Sequence, residues 1–332
     1  MKTNMIALKF RKTWDNWRAN GWLKVLSRFA LRLIHYVVVF GVCFIILQPV
    51  IQKLSNAFMA KDDILDITVI YLPKNFSTFF ITSSYIKMDY WVTFFNTFAL
   101  AAVVALLQVI ASSLVAYGFA RFKFPGRSLL FGLLIFTMVV PPTVILIPQY
   151  ITFQNFDVFG LIGLFKPGGI NLLNSFWPFV LTSLTVMGYK NGLYVYILRQ
   201  HYRGLPKELE EAAYIDGSTR LGTFVRIILP SSYAMMVTCF LYSFVWQWTD
   251  GYYVSFYTPG FMTFSKELST VVFEVTRVIM NDLGISDQVM PPLGYAVAIG
   301  NTASLLVITP LLVLFMFAQR FFVESIEHSG IK

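Results

Sequence analysis

Charge is scarce in this chain. Of its 332 residues only 13% are Asp, Glu, Lys or Arg, against 57% hydrophobic. That balance excludes both an ordinary soluble domain and a solvated disordered segment. Cysteine is scarcer still, with Cys43 and Cys239 as the two copies. Both fall in apolar runs, which argues against a disulfide or thiolate metal site and for two buried thiols acting as small hydrophobes. The three histidines, His35, His201 and His328, are scattered, and no catalytic residue or metal ligand is expected from them. No G-x-x-x-x-G-K-[ST] run occurs, so the chain carries no phosphate-cradling loop of that type. No small-residue cleavage site precedes the first apolar run, and the first residues are expected to stay as a basic arm. Tandem repeats and low-complexity runs are absent too.

What is abundant is apolar length. A bilayer core takes ~20 mostly apolar residues per helix. Six stretches qualify: Leu33 to Ile51, Phe94 to Phe119, Leu129 to Ile151, Phe176 to Leu198, Ser231 to Trp248, and Ile299 to Ala318. The fourth is the weakest, because it contains Lys190 and Asn191. The expected fold is an all-α integral membrane protein of about six transmembrane helices. Basic residues mark the cytoplasmic side. Lys2, Lys9, Arg11, Lys12, Arg18, Lys24, Arg28 and Arg32 precede the first span; Arg121, Lys123 and Arg127 follow the second; Arg199, Arg203, Lys207, Arg220 and Arg226 follow the fourth. The alternate loops are poorer, so both termini are expected in the cytoplasm of a multi-pass cell-membrane protein. Topology thus accounts for the +9 charge, and no nucleic-acid partner is expected. The arm, residues 1–32, either orients the chain or also binds anionic membrane lipid. Residues 33–322 form one membrane domain, followed by a tail, 323–332.

Between the fourth and fifth spans lies a polar, helix-forming stretch, about 204–230. Pro206 suits a first helical turn. Glu208, Glu210 and Glu211 place negative charge at a helix N-terminus. Ala212 and Ala213 favour helix and let a partner surface come close. Asp216-Gly217 stops the helix through a left-handed glycine, and Ser218 is positioned to cap a second helix from about Thr219 to Ile228. Pro230 then opens the fifth span. The expected result is a helical hairpin at the membrane surface.

The spacing Glu211-Ala212-Ala213, three residues, Gly217, nine residues, Ile227, one residue, Leu229-Pro230 closely resembles the cytoplasmic loop of permease subunits in bacterial ATP-binding-cassette importers. Leu205-Pro206-Lys207-Glu208, Ala120-Arg121-Phe122, Phe124-Pro125-Gly126-Arg127 and Gln319-Arg320-Phe321-Phe322 are similar to the carbohydrate, maltose-permease-like branch. The likeness runs from about Leu72 to Lys332. It implies a non-catalytic subunit whose loop docks on a separate ATPase, with Glu208, Glu211, Ala212, Ala213, Asp216, Gly217, Arg220, Leu229 and Pro230 as the coupling residues. It further implies a second six-span permease, two ATP-binding subunits and an extracytoplasmic substrate-binding protein. No cofactor is implied on this chain; ATP and Mg belong to the partner ATPase. Thr249-Asp250, Lys190-Asn191 and the tail depart from the pattern, which puts the solute more in doubt than the class.

Polar groups inside spans face a cavity or a partner helix. Asn96, Gln108, Lys190, Asn191, Gln247 and Asn301 are therefore substrate-path candidates, with Trp248, Trp246, Tyr242 and Tyr189 as stacking faces for a sugar ring. Packing is the plainer reading of each aromatic. Lys190 has three readings: snorkelling, pairing with an acid of the second permease, or meeting an anionic solute. Pro141, Pro142 and Pro310 break span hydrogen bonds, as hinges or as static bends. The long outer loop, about 251–297, offers Tyr252, Tyr253, Tyr257 and Gly260 to a binding protein, by resemblance, or caps the pore. A polyol or glycerophosphodiester importer shares these motifs. A self-sufficient channel or secondary transporter is the alternative class, as is a receptor that no longer transports.

Overall fold

The computed structural model describes residues 2–158, 160–284 and 292–330, with side chains for 26–158, 160–284 and 292–320. The side chains of most of the basic arm and of the 323–332 tail, and part of the 251–297 loop, lie outside the described residues. Among those described, the secondary structure is helical, with two isolated β-bridges and no strand. The helices are α1 (Lys2–Phe58), α2 (Lys61–Leu65), α3 (Phe79–Lys87), α4 (Tyr90–Arg121), α5 (Arg127–Thr137), α6 (Pro142–Gln154), α7 (Trp177–Leu184) and α8 (Asn191–Gly204). They continue with α9 (Glu208–Ile215), α10 (Arg220–Thr223), a π turn over Phe224–Ile228, α11 (Leu229–Ser231), α12 (Tyr233–Trp248), α13 (Tyr252–Tyr257), α14 (Phe264–Asp282) and α15 (Leu293–Gly330).

Three helical stretches are long and apolar enough to cross a bilayer: Leu26–Phe58, Tyr90–Arg121 and Leu293–Arg320. One further expected span, Leu129 to Ile151, is bent, and the fifth, Ser231 to Trp248, stands at an angle to the hairpin helix before it. α5 and α6 meet at 98°. Pro141 lacks an N–H, and Pro142 behind it forces Pro141 to extended backbone, φ −61° and ψ 135°, so no helix runs through. The helical stretch Arg220–Ser231 meets α12 at 78°. The break is at Ser232, φ −108° and ψ 11°, and not at Pro230, which continues the preceding helix. The expected span Phe176 to Leu198 is divided into α7 and α8, with Val186 (φ 60°) and Lys190 (φ 66°) left-handed between them. The described residues thus contain three to five candidate spans where the sequence suggests six.

α4 is the central post. Its buried side, Leu100, Ala101, Val104, Ala105, Gln108, Ser112 and Ala116, packs chiefly on α8 and α12. The small residues Ala101, Ala105, Ser112 and Ala116 let those helices close in. One cluster, around Phe244, Trp248, Phe264, Ile279 and Tyr295, joins α12, α14 and α15. A second, around Tyr117, Tyr194, Tyr202, Phe224 and Ile228, joins α4 and α8 to the π turn. α1 is different. It touches α15 and α3, and its apolar side chains from Leu26 to Ile51 face outward. Cys43 is therefore exposed and only Cys239 is buried; the expectation of two buried thiols fails because α1 has no packed outer face. Lipid or a partner helix is the natural environment for such a surface.

Candidate functional site

A cavity of about 320 Å³ opens beside α4, enclosed by α5, α6, α7, the α7–α8 connection and the end of α12. Gln108, Thr137, Gln149, Thr182, Ser183, Tyr189, Lys190, Gln247, Asp250, Tyr253 and Tyr257 supply its polar lining. Gln108 is the hub. It accepts from Ser243 Oγ at 2.6 Å and donates to the Tyr189 carbonyl at 3.2 Å. One amide thereby ties α4 to α12 and to the α7–α8 connection, and such a buried group is costly to leave unpaired.

That connection is tightly built. A Cβ on Gly188 would lie 2.6 Å from Asn191 Oδ1 and 2.7 Å from Gln108 Nε2. Asn191, at 0% exposure, donates to Ser112 Oγ at 3.0 Å. Lys190 stands just before α8 with φ 66°. A left-handed conformation costs a non-glycine residue on the order of 1 kcal/mol, and the surrounding packing holds it. Its ammonium lies 4.9 Å from the Tyr189 ring and 4.7 Å from the Trp246 ring. Asp250 follows the end of α12. It accepts from the Tyr252 and Tyr253 amides at 3.1 and 3.0 Å and from Gln247 Nε2 at 3.3 Å. Burial raises its carboxyl to about 6, against the pull of those hydrogen bonds.

Of the sequence candidates for a solute path, the structure brings Gln108, Lys190 and Gln247 to this cavity, with Tyr189. Asn191 sits directly behind it. Asn96 lies elsewhere, donating to the Met262 carbonyl. Asn301 accepts from Lys53. Trp248 is 1% exposed, donates to the Val307 carbonyl at 3.2 Å and packs on Phe94, Phe244 and Phe264; it is a core residue. Trp246 and Tyr242 are partly exposed on α12. Tyr253 and Tyr257 turn into the cavity, and the Tyr257 hydroxyl donates to Gln149 Oε1 at 2.9 Å. Tyr252 and Gly260 remain exposed, with the Gly260 amide held by Asn174 Oδ1 at 2.7 Å. Gln149, Thr182 and Ser183 were missed. Gln149 could have been found by the same rule as Gln108, as an amide within an apolar run.

The second feature is the hairpin. Glu208, Glu210 and Glu211 fill the first turn of α9. Pro206 lies ahead of that turn. Gly217 reverses the chain at φ 81°. The cap of the following helix is Thr219, whose Oγ1 accepts from the Gly222 amide at 3.1 Å. Ser218 does not cap it, because its hydroxyl donates to the Thr219 carbonyl. Ala213 is buried, while Glu208, Glu211, Ala212, Asp216, Gly217, Arg220 and Pro230 are exposed and Leu229 is half-buried. Leu209, Tyr214, Ile215 and Leu221 are apolar and exposed as well, Ile215 at 86%. An Arg121 Nε–Glu210 Oε1 ion pair at 2.6 Å, 8% and 9% exposed, fastens α9 to the end of α4. Arg121 also donates to the Leu205 carbonyl at 2.9 Å, and the Tyr117 and Phe224 rings pack at 4.7 Å.

An all-helical chain with several apolar spans, a polar-lined cavity and a surface hairpin of this kind defines a multi-pass membrane transport subunit. The chain belongs to the binding-protein-dependent transport system inner membrane component family, which it matches over residues 108–328. It is similar to the arabinooligosaccharides transport system permease protein AraQ of Halalkalibacterium halodurans, at 25% identity over 88% of this chain and 93% of that protein. The osmoprotective compounds uptake permease protein GgtD of Synechocystis is 30% identical over 72% of this chain and 70% of its own length. Among solved structures, a bacterial ABC transporter involved in import of the acidic polysaccharide alginate superposes with a TM-score of 0.67, at 15% identity, covering 89% of this chain and 98% of that one. That likeness is one of fold.

Proposed function

We propose that this chain is one of two six-span permeases of an importer for a carbohydrate or similar polyhydroxyl solute, with the cavity beside Gln108 as its half of the path. In this reading a second, different permease completes the path. Two ATP-binding subunits sit on the cytoplasmic side, where both termini also lie, and hold ATP and Mg. An extracytoplasmic binding protein delivers the solute to the opposite face, with Tyr252 and Gly260 available to it.

The observation that carries the reading is the α9–Gly217–α10 hairpin. It projects exposed apolar side chains, yet it is fastened at its root by a buried ion pair. A surface that is apolar and exposed asks for a partner. A rigid root lets that partner's movement reach α4, and α4 borders the cavity. Closure of two nucleotide-binding domains would pull the hairpins together and reorient the spans. Names borne by AraQ and GgtD support a sugar or osmolyte as solute.

The test is ATPase activity of the reconstituted complex, with and without binding protein, for wild type, Gly217→Asp and Glu211→Lys. Loss of stimulated hydrolysis, or loss of the ATPase from the complex, is the expected result. Assembly and stimulation equal to wild type in both variants would remove the hairpin from the coupling path.

A further inference from the structure

We infer that the solute received by this cavity carries an acidic group, a carboxylate or a phosphate, that settles against Lys190. The inference rests on the importer reading above and narrows it. Two charged residues line the cavity, Lys190 and Asp250. The Asp250 carboxylate is already engaged: one oxygen holds the first amides of α13 and the other holds Gln247. Lys190 forms no ion pair among the described residues. Its neighbours Tyr189 and Trp246 offer ring faces, which favour a cation without neutralising it. The charged group of the cavity left without a hydrogen-bond or ion-pair partner among the described residues is therefore the Lys190 ammonium.

Other donors line the same cavity. Ser183 lines the cavity at 1% exposure, and its hydroxyl has no hydrogen-bond partner among the described residues. Gly192, also lining, belongs to the first turn of the 14-residue α8; the Asn191, Leu193 and Tyr194 amides there already donate to the Gly188 and Lys190 carbonyls, which leaves the Gly192 amide without a backbone acceptor. An ammonium, a buried hydroxyl and a free backbone amide are donors of the kind an oxyanion takes. A neutral sugar would use the hydroxyl and leave the ammonium without an ion-pair partner.

Uptake into proteoliposomes holding the complete importer and its binding protein tests this. The probes are trigalacturonate for a carboxylate, glycerol 3-phosphate for a phosphate, and arabinotriose for a neutral solute. The proteins are wild type, Lys190→Gln, Lys190→Arg, and Lys166→Gln as an exposed control. Uptake of one acidic probe is expected, lowered at least tenfold by Lys190→Gln and less than threefold by Lys190→Arg, with the control unchanged. Co-elution of Lys190→Gln with its partners shows that the loss is not misassembly. Uptake of arabinotriose alone, or acidic uptake undiminished by Lys190→Gln, overturns the proposal and leaves the importer reading in place. Uptake of no probe, together with hydrolysis that binding protein never stimulates, overturns both.

Discussion

Arg121, the last residue of α4, and Glu210, in the first turn of α9, meet at 2.6 Å with both side chains almost wholly buried. The pair joins the helix that borders the cavity to the hairpin that projects from the bundle. Burying two charges is not cheap, so the pair is better explained as a fixed joint than as a source of stability.

Removing one partner tests the joint. Glu210→Gln leaves the Arg121 guanidinium buried without a counter-ion, a cost on the order of 3–5 kcal/mol. Binding-protein-stimulated ATP hydrolysis should fall at least tenfold, with the complex still assembled. The exchanged pair Arg121→Glu with Glu210→Arg should recover part of it. Hydrolysis assays on purified complexes decide, and equal rates in wild type and Glu210→Gln would sink the joint.

Gly188 and Gly217 are required for different reasons, and alanine separates them. Gly188→Ala puts a methyl group within 2.7 Å of two polar side-chain atoms of the Gln108–Asn191 network. Gly217→Ala meets nothing within 4 Å but must hold φ 81°, at about 1–2 kcal/mol. Gly188→Ala should lower the melting temperature and abolish uptake. Gly217→Ala should leave uptake within severalfold. The reverse order in thermal-shift and uptake assays would contradict these assignments.

Trp248 packs in the core, so Trp248→Phe is expected to lower stability by roughly 1–3 kcal/mol through the lost indole hydrogen bond to the Val307 carbonyl and the lost ring area. The apparent KM for the solute should not move. A KM change without a stability change would return Trp248 to the solute path.

The carboxyl of Asp250 titrates near 6 rather than its ordinary 3.8 because of burial. A raised carboxyl binds its proton more tightly in the folded protein. Its stabilising contribution is complete below about 4 and is lost as pH rises through 6. The melting-temperature difference between wild type and Asp250→Asn should therefore change between pH 4 and 6 and stay level above 7. A difference that is flat across the whole range would refute the assignment.

Much of this was legible in the sequence, and the limits have physical causes. Apolar runs fix where helices lie, so α1, α4 and α15 fall where expected. Runs do not report direction: the paired prolines bend the expected span Leu129 to Ile151 by 98°, and Ser232 turns the fifth span 78° from the hairpin helix that precedes it. Gly217 identified the hairpin turn. The choice between Ser218 and Thr219 as cap depended on hydroxyl direction, which spacing does not encode. Gln108, Lys190 and Gln247 stood out as polar groups in apolar runs. Ser183 did not, because a serine in a span usually bonds its own helix. The Arg121–Glu210 pair joins residues distant in sequence, and nothing local in either stretch announces it.

The most direct measurement is cross-linking from the tip of the hairpin. Ile215→Cys, in a chain with Cys43 and Cys239 replaced by serine, would be treated with a short bis-maleimide in the assembled complex carrying single-cysteine ATPase variants. Ile67→Cys, exposed at 94% near α2, serves as the comparison. The account predicts a cross-link to the ATPase from position 215 and none from position 67. An assembled complex in which position 215 never reaches the ATPase, or position 67 does, would contradict it.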